Sequence, residues 1–126
     1  MILHVVNSVM RPLIALWLRQ SVNSWERSPS PVDSPTVHGA GVDPVRVLLS
    51  GTGIAAGYGT VTHDLAFAGQ LARRLAVLSG RGVDLEIRVS TTMTAKACAV
   101  TLSELTLDRF DAIVLVVGAV EAFELR

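Results

Sequence analysis

The sequence predicts an α/β domain on a parallel sheet, preceded by an apolar segment and a polar linker. Two observations carry the prediction. From Val45 onward, short β-branched runs alternate with stretches of helical period, in the order strand, helix, strand, helix, strand. Such an order needs crossover connections, which are right-handed and leave the strands parallel. Moreover, the 126 residues, half of them hydrophobic, leave room for one modest domain and not two.

The elements follow in order. Residues 1–19 begin "MILHVVNSVMRPLIALWL", which Arg11 and Pro12 interrupt. The uncharged run on either side is short of the roughly 20 residues that a spanning helix needs. No basic region precedes the run and no small-residue cleavage site follows it, so a secretory signal fits poorly. The segment reads as a helix or pair of short helices that docks on a protein surface or lies at a membrane interface. Residues 20–44 carry four of the five prolines and many serines. They read as a linker, because they offer too little apolar surface to offset the entropy of ordering.

The folded unit is expected over 45–126. "VRVLLS", Val45 to Ser50, reads as a buried strand ended by glycine. "HDLAFAGQLARRLAVLSG" places Ala68, Leu71, Ala72, Leu75 and Leu78 on one helical face with Arg73 and Arg74 away from it, and Gly80 supplies a C-cap. "VDLEIRVS" is the second strand, and "TAKACAVTLSEL" is a second helix with Cys98, Leu102 and Leu105 on one stripe. "FDAIVLVVG" is the third strand; being apolar throughout, it is expected at the centre of the sheet. The sequence given stops soon after it, which reads as a truncated domain.

Composition narrows the function classes. Eleven basic and eleven acidic side chains cancel, so no global charge draws the chain to nucleic acid. The single cysteine, Cys98, rules out an intramolecular disulfide framework and reads as a small core residue in a reduced compartment such as the cytoplasm. His4 and His38 fall in the leader and linker and give a metal site no support. Neither metal nor cofactor is expected.

The chemistry-bearing stretch is "SGTGIAAGYG", with glycines at 51, 53, 57 and 59 between a strand and a helix. "GTGIAA" matches the G-x-G-x-x-G/A dinucleotide fingerprint. The second strand, however, ends "EIRVS", without the acidic residue that would hold the ribose, and no lysine follows the glycines as a P-loop requires. A nucleotide or phosphate on the backbone amides of the 51–59 loop is the alternative reading.

The wider layout resembles the amino-terminal part of the SGNH, or GDSL-type, hydrolases. The blocks that carry it are "AAGYG", "GQLARRLA" followed by "GRG", and "FDAIVLVVG". It is most similar to the actinobacterial esterase-like branch, whose members also carry an apolar N-terminal segment and a proline-rich linker. The resemblance implies a three-layer α/β/α, flavodoxin-like parallel sheet, here about three strands and two helices. It also implies where an esterase or lipase would keep its chemistry. The nucleophile turn Gly-Asp-Ser aligns with Gly51, Thr52 and Gly53, so glycine stands in the serine's place. The backbone donor of the second block aligns with Thr92. In the third block Gly118 is kept, Val120 takes the place of the asparagine that donates to the oxyanion, and Glu121 that of the aspartate. The Asp-x-x-His block, which supplies the base, has no counterpart in the sequence given.

Loss of a single oxyanion donor costs roughly 100- to 1000-fold in turnover. The resemblance therefore implies a hydrolase-like protein without hydrolase activity, with Gly51, Thr52, Gly53 and Gly118 left to line a ligand. Ser50, Thr52 and His63 are the candidates for a displaced hydroxyl and base. The blander assignment gives Ser50 and Thr52 hydrogen bonds to the loop backbone and gives His63 a place in the helix cap. A small sheet also leaves edges uncovered, which invites self-association.

Overall fold

The computed structural model describes residues 10, 12–17, 20, 28–90 and 93–124. Four strands form one mixed sheet: β1 (Thr36–Gly39), β2 (Val45–Gly51), β3 (Val83–Val89) and β4 (Ala112–Val116). Among the described residues, three helices follow β2, namely α1 (Phe67–Ser79), α2 (Ala95–Ser103) and α3 (Ala119–Glu124). The strand order is β1-β3-β2-β4, with β2 parallel to both β3 and β4, and β1 antiparallel to β3.

The alternation of side chains across β2 sorts the two faces. Val47 and Leu49 join Val83, Leu85 and Ile87 of β3 and Ala68, Ala72 and Ala76 of α1 in the main core. Small residues on α1 let the helix approach the sheet closely. Ser50 points to the other face, where its hydroxyl meets Cys98 of α2. Helices therefore lie on both faces, as crossovers running first to one side of β2 and then to the other require.

Three expectations change. The sheet is mixed and starts at Thr36, inside the expected linker, because "TVHG" alternates exposed and buried side chains and pairs with β3. Val37 enters the core from this strand. The strand expected at the centre lies at the edge: β4 pairs with β2 alone among the described strands, and its Ile113 and Leu115 are exposed. An unbroken apolar run reports the side chains' demand for burial, not what the described residues supply. Leu78 is also exposed, since the buried stripe of α1 runs through Ala68, Gly69, Ala72 and Ala76 and has turned away by the last turn.

The stretch 28–35 is tied down as a strap. The Pro29 carbonyl accepts from Gly59 N–H at 2.8 Å, and Asp33 bonds His63. Residues 12–17 are helical, and every one of them is exposed. No helix among the described residues is long and apolar enough to cross a membrane.

Candidate functional site

The carboxyl ends of β2, β3 and β4 meet at the glycine turn. In an open α/β sheet ligands bind in the crevice outside the strand ends, where the order reverses, and here that point lies between β2 and β4. Gly51 makes the convergence possible. A Cβ there would lie 2.1 Å from the Val116 carbonyl oxygen, and its φ is +145°. Thr52 N–H donates to that same oxygen at 2.9 Å, while the Gly51 carbonyl accepts from Ser90 N–H at 3.0 Å. The turn is thus stitched to both neighbouring strands.

Gly53 differs. Its φ is +65°, it starts a 3-10 turn over Gly53–Ala56, and nothing lies within 4 Å of where a Cβ would stand. A side chain at this position would project into open space. The structure thus brings Gly51, Thr52, Gly53 and Gly118 to one end of the sheet. Thr92 lies outside the described residues.

The remaining candidates are committed elsewhere. Ser50 is 0% exposed, and its hydroxyl is 3.4 Å from Cys98 Sγ and 3.8 Å from Met93 Sδ, two weak partners in an apolar pocket. Thr52 is buried beside it in sequence. His63 is buried too, and its Nδ1 lies 2.7 Å from Asp33 Oδ1 while its backbone N–H donates to the same carboxylate at 3.0 Å. Partial desolvation pushes the Asp33 carboxyl up, but the His63 backbone and ring bonds outweigh it and hold the group below the usual aspartate range. His63 does serve the helix start, though through its carbonyl, which accepts from Gly69 N–H at 3.0 Å. Ser50 faces α2, whereas His63 leads into α1 on the opposite face of the sheet.

Glu121 is the acid that sequence reasoning left without a role. Its Oε1 accepts from Ala95 N–H, at the first residue of α2. This amide first, then those of Glu121 itself and Gly118, hold the carboxyl below the usual glutamate range despite partial desolvation. Oε2 is buried and has no partner among the described residues. The start of α2, the natural anion cradle at this end of the sheet, therefore already holds a protein carboxylate. That weighs against a phosphate on the same amides. An acidic residue in the first turn after Gly118 was the signal for such a cap; for Asp33, isolated between Pro31 and Pro35, the sequence holds no local signal.

At the other end of the sheet, a shallow groove of about 230 Å³ runs over Thr36, His38, Arg46, Asp84, Glu86 and Phe110. Its charges satisfy one another: His38 with Asp84 at 2.6 Å, Arg46 with Asp111 at 4.0 Å, and Glu86 with both Arg88 at 2.6 Å and Arg109 at 2.7 Å. Exposed pairs of this kind are worth little and leave no net charge for a ligand. Among the described residues no cluster of three His, Cys, Asp or Glu is placed to hold a metal ion. The chain matches no protein-family model, no curated protein and no solved structure.

Proposed function

We propose that the chain is a non-hydrolytic α/β binding or scaffold module of SGNH-hydrolase-like build. The strand order β3-β2-β4, with crossover helices on opposite faces, supports a flavodoxin-like arrangement of the parallel strands. The observation that carries the reading is Gly53. It stands at the turn after β2, at the residue which the resemblance aligns with the nucleophile, facing open space with no reactive atom. Val120, at the asparagine position, has no side-chain hydrogen to donate to an oxyanion. Ser50 and His63, the nearest replacements in kind, are bonded to sulfur and to Asp33.

Incubation of the full chain with short p-nitrophenyl esters tests the proposal, which predicts a rate equal to the buffer blank. Turnover abolished by Ser50→Ala or Thr52→Ala would overturn it.

One observation favours a second reading, self-association through β4. Among the described strands β4 is paired on one side only, its Ile113 and Leu115 and the adjoining Val117 are exposed, and it has neither the preceding proline nor the histidine that blunt β1. Light scattering after size exclusion separates the readings: a strictly monomeric species ends the second and leaves the first standing.

A further inference from the structure

We infer that the N-terminal helical segment around residues 12–17 is a docking surface for an anionic lipid bilayer. The side chains Leu13, Leu16 and Trp17 are 57%, 56% and 65% exposed, and Met10, Pro12, Ile14 and Ala15 are exposed as well. Apolar residues therefore surround the helix. In water an apolar surface of this kind needs a cover, and Leu13, Ile14 and Leu16 stand exposed.

Charge decides between the covers. Residues 1–25 contain no Asp or Glu, while Arg11 and Arg19 bracket the apolar run 12–18. A second copy would set arginines against arginines with no acid in the segment to meet them. An anionic headgroup layer complements them, and each basic residue near such a surface adds attraction. Length decides the depth: the helical stretch 12–17 rises about 9 Å, under a third of a bilayer core, so the segment lies in the interface. Trp17 suits that depth, because indole is apolar with one polar N–H.

The two tryptophans of the chain are Trp17 and Trp25, so emission reads this segment and nothing else. The experiment titrates the full chain carrying Trp25→Phe with vesicles of phosphatidylcholine containing phosphatidylglycerol, and with phosphatidylcholine alone. The expected result is a shift of Trp17 emission to shorter wavelength on the anionic vesicles, reversed by salt. Replacing both Arg11 and Arg19 by Gln should weaken binding roughly 30-fold. Leu13→Asp with Leu16→Asp should abolish the shift, while far-UV circular dichroism confirms that the domain remains folded. An unchanged spectrum on anionic vesicles would overturn the inference. So would an equal, salt-independent response to neutral vesicles, or a shift that grows with protein concentration in the absence of lipid, which identifies a second copy as the occupant.

Discussion

Replacing Gly51 and Gly53 in turn by alanine separates two reasons for a glycine that look alike in sequence. At Gly51 the added Cβ would lie 2.1 Å from the Val116 carbonyl oxygen and 2.7 Å from its carbonyl carbon. Both are backbone atoms, so only a separation of β2 from β4 relieves the contact. That separation breaks the Thr52 N–H bond to Val116, which is 2.9 Å long. A non-glycine residue in such a conformation costs about 1–3 kcal/mol, and a lost hydrogen bond about 1 kcal/mol. The sum is about 3 kcal/mol before any unpacking of Val114 and Val116, a large share of a small domain's stability. At Gly53 only the left-handed backbone counts, about 1–2 kcal/mol, because nothing lies within 4 Å of the new methyl group. Urea denaturation followed by far-UV circular dichroism is the appropriate assay, since both tryptophans precede the sheet strands in the sequence. Gly51→Ala should be the less stable variant by at least about 1 kcal/mol. Midpoints that coincide, or a reversed order, would refute the argument that Gly51 exists for the close approach of two strands.

Other consequences follow from the same geometry. Asp33→Asn should release the 28–35 strap, read as faster limited proteolysis near neutral pH. Because the folded Asp33 carboxyl lies below its ordinary value of 3.8, its stabilisation is complete above that value and disappears as pH falls through the lower folded one. The difference between wild type and variant should therefore close in strong acid; a gap that persists there contradicts the assigned hydrogen bonds of the Asp33 carboxylate to His63. Ser50→Ala should change stability by less than about 1 kcal/mol, since among the described residues the hydroxyl meets sulfur atoms alone. A loss of more than about 2 kcal/mol would assign the hydroxyl a stronger partner. Titration with NAD, FMN or ATP should leave the melting temperature unchanged, because Thr52, Gly57 and Gly59 of the loop already donate their amides to the Val116, Ile54 and Pro29 carbonyls. A rise with ligand concentration would restore the nucleotide reading.

Local pattern made much of this fold legible. β2 and β3 announce themselves through β-branched runs, α1 through an apolar stripe ended by Gly80, and α2 through the stripe of Cys98 and Leu102, although it ends at Ser103, short of Leu105. What stayed hidden depends on distant partners. β1 is four residues long and sits among prolines, so its period-two alternation is too short to stand out from a linker. Asp33 finds His63 across 30 positions of chain, a contact that no local rule supplies. The sequence does not reveal that β4 lies at the edge of the described sheet, because an apolar strand looks the same whether or not neighbouring chain covers it. At the candidate site, alignment of Gly51 and Gly53 with a nucleophile turn placed both residues at the strand ends. It did not show that one glycine is required by packing while the other faces open space.

The central claim is that the turn after β2 holds no working nucleophile. Stopped-assay hydrolysis of p-nitrophenyl acetate and butyrate by the wild-type chain, Gly53→Ser, Ser50→Ala and Thr52→Ala tests it directly. All four proteins should match the blank, and Gly53→Ser should gain nothing because Val120 still offers no hydrogen bond to an oxyanion. Turnover by the wild type that either Ser50→Ala or Thr52→Ala removes would contradict the claim and place an active hydroxyl beside the glycine turn.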